Sequence, residues 1–187
     1  MIVAVVGASQ GGTSTAETPA GGSGSQFDGA VLPDGVRAPD FALRDQYGMP
    51  VTMKEYRGRT TIVTFLYSHC KDTCPVEAQQ IKGALDDLNQ KIPVLAISVD
   101  PPNDTPASIA HFNAEQGVTG RIRWAVGSRP QLAKVWKAFG VTGQSDKAEH
   151  ISHILLVDRR GFERVGFPAQ ETTPERLAHD LRVLERG

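Results

Sequence analysis

Three short apolar runs constrain this chain more than any other feature: Thr60–Tyr67 (TTIVTFLY), Val94–Val99 (VLAISV) and Ile154–Val157 (ILLV). They are rich in β-branched, aliphatic and aromatic residues and lack the polar alternation of a strand with one wet face. Each therefore needs apolar cover on both sides. The segments between them supply that cover. Pro75 to Gln90 carries Ile81, Leu85 and Leu88 on one helical stripe, with its proline tolerated in the first turn. Pro106 to Glu115 turns Ile109 and Phe112 inward. Leu132, Val135, Trp136 and Phe139 repeat at i, i+3, i+4, i+7 on a helix closed by Gly140. Arg121 to Ala125 reads as a further strand, and Phe162 to Phe167 as the hairpin partner of the Ile154 strand. Thr173-Pro174-Glu175 opens a last helix that buries Leu177, Leu181 and Leu184. Ahead of all these, Ala38 to Leu43 and Val51 to Met53 form a hairpin about Gln46-Tyr47-Gly48. Strands alternating with helices give an α/β fold with an N-terminal hairpin and helices on both faces of a central sheet.

The folded domain is expected over residues 31–187. Residues 1–30 read differently. MIVAVVGA is apolar but only eight residues long, well short of the roughly 20 a membrane span needs, and the first basic residue is Arg37. Residues 9–30 are rich in Gly, Ser, Thr and Ala and cannot bury a core, so they read as a flexible linker. Two readings of the start stay open: an unstructured beginning, or the trailing end of a signal anchor. The tether behind the apolar stub favours the second, an exported, membrane-anchored domain. Formal net charge is -1 with Lys and Arg scattered, which argues against nucleic acid or an anionic membrane surface as main partner.

There are two cysteines, four positions apart, in Tyr67-Ser68-His69-Cys70-Lys71-Asp72-Thr73-Cys74-Pro75. A disulfide scaffold needs cysteines spread along the chain. An inert bridge over so small a loop would add little stability. The pair falls where the first buried strand gives way to a helix, the position at which sites collect in open α/β sheets. A helix N-terminus favours a thiolate there. The pair is then a redox couple or part of a metal site, and three intervening residues leave room for an ion between the sulfurs.

Cys70-x-x-x-Cys74-Pro75 after a strand, with Ser98-Val99-Asp100-Pro101 and Asp104-Thr105-Pro106 downstream, resembles the Sco/SenC family over roughly residues 35–186. These are copper-binding, thioredoxin-fold assembly factors of cytochrome c oxidase. Phe41 to Gly48 and Tyr56-Arg57-Gly58 are similar to the same family, although peroxiredoxins share that opening. The resemblance implies a thioredoxin-like fold with a mixed sheet, and copper(I) and copper(II) held by Cys70, Cys74 and one histidine.

Of five histidines, His111 and His179 read as solvated helix residues, and His69, adjacent to Cys70 after an extended strand, as facing away. His150 and His153 remain. In the family the ligand lies eleven residues ahead of the glycine in the turn after this strand, and counting back from Gly161 gives His150. His153 stays as the alternative. Asp100, ahead of two prolines, is either a turn former or a support for the site.

The resemblance implies an extracytoplasmic copper chaperone that passes its ion to a partner such as a cytochrome c oxidase subunit; the copper donor is not written in the sequence. The enzymatic alternative is a thiol–disulfide reductase that uses Cys70 and Cys74 as a redox-active pair. A peroxidase would carry Pro-x-x-x-Thr-x-x-Cys, and Tyr67 and Lys71 occupy the two possible threonine positions.

Overall fold

The apolar runs become the centre of one sheet. The computed structural model describes residues 25–88, 91–141 and 153–187. Eight strands run in chain order as β1 (Ala30–Val31), β2 (Ala42–Asp45), β3 (Pro50–Thr52), β4 (Thr61–Leu66), β5 (Val94–Ser98), β6 (Ile122–Val126), β7 (His153–Val157) and β8 (Glu163–Pro168). The helices are α1 (Thr73–Asp87), α2 (Pro106–Glu115), α3 (Arg129–Ala138) and α4 (Pro174–Arg186). The spatial order is β1-β8-β7-β4-β5-β6-β2-β3. β4 pairs in parallel with β5, and β5 with β6, while β7, β8 and the β2–β3 hairpin join antiparallel. This is the expected α/β, mixed, thioredoxin-like sheet.

Alternate residues of the central strands feed two cores. Ile62, Leu66, Val94, Ala96, Ile154 and Leu156 pack with α1, α2 and α4. Val63, Phe65, Leu95, Ile97, Leu155 and Val157 pack with α3 and the 3-10 turn Met53–Tyr56. The period of two is real, but both faces are covered, which is why it is invisible in the sequence of the runs.

Three expectations shift. The first hairpin strand lies further along than Ala38–Leu43 and the second one residue earlier than Val51–Met53, and Asp45 organises the turn between them: its Oδ1 accepts from the backbone N–H groups of Tyr47 and Met49, both at 2.9 Å. Helix α1 starts at Thr73 rather than Pro75 and gives way at Leu88, whose backbone is extended, before the expected end at Gln90. The packed chain also includes residues ahead of Val31. Phe27 packs on the α1/α4 core, and the backbone N–H groups of Asp28 and Gly29 donate to the buried Asp180 carboxylate at 2.8 and 2.9 Å. The expectations for residues 1–24 lie outside the described residues. Among the described residues no helix is long and apolar enough to cross a membrane.

Candidate functional site

Strand β4 ends at Leu66, and the chain crosses a six-residue loop, Tyr67 to Asp72, before α1. Cys70 lies in that loop and Cys74 is the second residue of the helix. The loop turns back on itself through Cys70 N–H donating to the Tyr67 carbonyl at 3.2 Å. The backbone N–H of Cys74 donates to the Cys70 sulfur at 3.3 Å, and Thr73 Oγ1 lies 3.7 Å from it. Cys70 thus meets the unpaired N–H end of a helix.

Both cysteines are free thiols, and both are buried. Cys74 begins the inward stripe of α1, which continues through Ala78, Ile81 and Leu85, all in the same core. That stripe was legible: stepping back from Ile81 by three and again by four reaches Ala78 and Cys74.

The two thiols are not equivalent. The Cys74 thiol donates a hydrogen bond to the Cys70 sulfur, and the Tyr67 hydroxyl and the backbone N–H groups of Cys74 and Asp72 add to the stabilisation. Against the cost of burial, these hold Cys70 down to about 4. Cys74 is pushed well above the ordinary thiol range by its bond to Cys70 and by burial. Tyr67 is also raised, first by its bond to Cys70 and then by burial. Cys70 is a thiolate near neutral pH, with the Cys74 thiol and the Tyr67 hydroxyl as its hydrogen-bond donors. Two sulfurs of this kind suit a soft cation such as copper(I) once Cys74 gives up its proton.

The remaining predicted residues fall as follows. His150 lies outside the described residues. His153 opens β7, whose register sets Ile154 opposite Thr64, so the start of β7 meets the end of β4 from which the cysteine loop leaves. Thr64 Oγ1 lies 3.3 Å from the His153 carbonyl oxygen. His69 is exposed, with Nδ1 3.2 Å from Ser68 Oγ. His111 is exposed on α2. His179 on α4 is held by Asp180 at 2.9 Å and Asp28 at 3.4 Å rather than merely solvated. Asp100 forms a turn: its carbonyl accepts from the N–H groups of Asn103 and Asp104, and its carboxylate from the Asn103 side chain at 2.9 Å.

Three contributors escaped the sequence reading. Tyr67 reads in the sequence only as the end of a strand. Glu77 is fully buried one turn beyond Cys74 and accepts a hydrogen bond from Thr64 Oγ1. Asp104 is buried beneath the cysteine loop and accepts from Ser68 and Ser98. Burial raises its carboxyl despite those bonds. A charged residue on the apolar stripe of α1 was a readable signal for Glu77; the Tyr67 contact with Cys70, three residues on, depends on how the loop turns, and the Ser68 partner of Asp104 is distant in sequence.

Comparison with known proteins gives a consistent picture. A family model described as SCO1/SenC matches residues 33–185. The Bos taurus mitochondrial SCO2 homolog is 29% identical over 148 residues, covering 75% of this chain and 55% of that protein. The chain thus spans about half the length of that relative. The structure of Bradyrhizobium japonicum ScoI with copper bound superimposes with a TM-score of 0.62 at 28% identity, covering 80% of this chain and 99% of the other. The solution structure of apo Sco1 from Thermus thermophilus reaches a TM-score of 0.74 at 23% identity, covering 87% and 99%.

Proposed function

The chain belongs to the SCO1/SenC family, and from that premise we propose that it is an extracytoplasmic copper chaperone. It binds one copper ion through Cys70, Cys74 and His150 and hands it to a partner such as a cytochrome c oxidase subunit. The carrying observation is the Cys70 thiolate, bonded by the N–H and thiol of Cys74 at the mouth of α1. The copper-bound relative, ScoI, supports the choice of metal. Thiolates select copper(I), and an imidazole adds affinity for copper(II). His150 is preferred to His153 on two grounds. It stands at the family's count from Gly161. His153 also shares its strand face with Leu155 and Val157, which pack on the α3 side, whereas both cysteines pack on the other. Delivery proceeds by ligand exchange, with the partner's ligands replacing those of this chain.

The test is copper titration against a competing chelator for wild type, Cys70→Ser, Cys74→Ser, His150→Ala and His153→Ala. About one copper per chain is expected, with retention abolished by either serine substitution. Loss of copper(II) is expected in His150→Ala but not in His153→Ala. A reduced wild-type protein that takes up no copper, or a His150→Ala variant that holds copper(II) as wild type does, overturns the reading.

A second reading is favoured by the same inequality of the thiols. An ionised Cys70 beside a protonated Cys74 is the arrangement of an attacking and a resolving thiol in a disulfide reductase. In that role His150→Ala leaves turnover of a disulfide substrate intact.

A further inference from the structure

Cys70 stands in a loop without regular structure, so its sulfur is placed by whatever fixes the loop's departure from β4. That group is Asp104. One carboxylate oxygen accepts from the backbone N–H of Ser68 at 2.7 Å and from its hydroxyl at 2.8 Å. The other accepts from the Ser98 hydroxyl at 2.5 Å and the Asp100 N–H at 3.3 Å. The donors come from the cysteine loop, the end of β5 and the turn after it. Ser98 is pinned from the opposite face of the sheet, where Trp136 Nε1 donates to its carbonyl at 2.9 Å. The Ser68 hydroxyl also meets Ser108 of α2 at 2.9 Å.

We propose that Asp104 is a positioning residue for the cysteine pair: by tying Ser68 to the ends of β4, β5 and α2, it sets where the Cys70 sulfur stands relative to Cys74. Only His69 separates Ser68 from Cys70, and the Tyr67–Cys70 turn closes over it, so a displacement of Ser68 is passed on to the sulfur. A carboxylate is required because its four partners all donate. An amide would turn its NH2 toward the Ser98 hydroxyl and the fixed Asp100 N–H. The inference rests on the reading of Cys70 and Cys74 as the working pair and adds the group that aligns them.

The test uses metal-free, reduced full-length chain equilibrated with graded ratios of reduced to oxidised glutathione. Cys70 and Cys74 join by an S–S bond as they give two electrons to oxidised glutathione, whose S–S bond breaks; the Cys74 proton and one proton from water complete the two glutathione thiols. The native loop stabilises the thiolate–thiol pair, so loosening it favours the disulfide. Asp104→Asn is expected to shift the equilibrium about tenfold toward the disulfide, a potential lower by about 30 mV. Ser68→Ala and Ser98→Ala should shift it in the same direction by less. Asp180→Asn serves as control: it also removes a buried carboxylate that accepts from backbone N–H groups, lowering melting temperature without moving the equilibrium. An Asp104→Asn value within about twofold of wild type, or an equal shift in Asp180→Asn, overturns the proposal. Should Asp104→Asn fail to fold, wild-type values in both serine variants overturn it. No copper is present, so failure here is distinct from failure of the copper titration.

Discussion

Cys70 meets the N–H end of α1 and the Cys74 thiol, and so carries a thiolate where an isolated cysteine would be protonated. Metal binding requires both sulfurs ionised. Since Cys70 has already lost its proton at neutral pH and Cys74 has not, copper(I) uptake at pH 7 should release close to one proton per ion, as measured by pH-stat titration. The released proton comes from Cys74. Release of about two protons would mean that both thiols enter protonated and that the inequality is absent. The motif Cys-x-x-x-Cys-Pro was enough to find the pair. It did not reveal which sulfur is ionised, because that depends on Tyr67 and on the exact start of α1.

Among the elements, β8 begins with a cost. Glu163 is buried where β8 meets β7, and burial alone raises its carboxyl to about 7. The sign follows directly. A carboxyl whose folded value exceeds its unfolded one favours folding in the neutral form. The native state therefore loses stability as pH rises from about 4.5 and bears the full penalty above about 7. Glu163→Gln should stabilise the protein at pH 8, by on the order of 1 to 3 kcal/mol, and make little difference at pH 4. Thermal melts at the two pH values check this, and an equal effect at both would refute it. The element boundaries show a related contrast. Pro106–Glu115 was read to the residue, because Thr105 caps α2 by accepting from the Ser108 N–H at 3.2 Å and a proline follows. In the β2–β3 hairpin the turn falls where Gln46-Tyr47-Gly48 puts it, but β2 runs on to Asp45, whose side chain holds the turn, and so starts at Ala42 rather than Ala38.

At the scale of the whole molecule, a buried carboxylate on α4 ties the N-terminal segment to the core that α1 and α4 share. Asp180 accepts from Asp28 and Gly29, and Arg176 donates to the Asp28 carbonyl. Gly29 is needed there: a Cβ would lie 2.5 Å from Val165 Cγ1 and 2.7 Å from the Phe167 ring. Asp180→Asn should raise amide hydrogen exchange at Asp28, Gly29 and β1 and cost about 1 to 3 kcal/mol. Exchange near Cys70 and Cys74 should stay unchanged, since the segment lies along β8. Faster exchange at the cysteine loop would show instead that the two ends of the molecule are coupled. Composition gave no hint of this attachment. Residues 25–30 look like the rest of a Gly- and Ser-rich linker, and only a partner some 150 positions away distinguishes them.

By itself the sequence determined the α/β alternation, the buried centre of the sheet, the four helices and the cysteine pair at a strand-to-helix junction. Those features depend on local periodicity, caps and spacing, which neighbouring residues encode. The tertiary structure alone decided the strand order, the proton arrangement of Tyr67, Cys70 and Cys74, and the Asp104 and Asp180 ties. The strand order and the two carboxylate ties depend on groups distant along the chain, which meet only once the sheet has assembled, and the proton arrangement depends on how the loop between β4 and α1 is folded and buried.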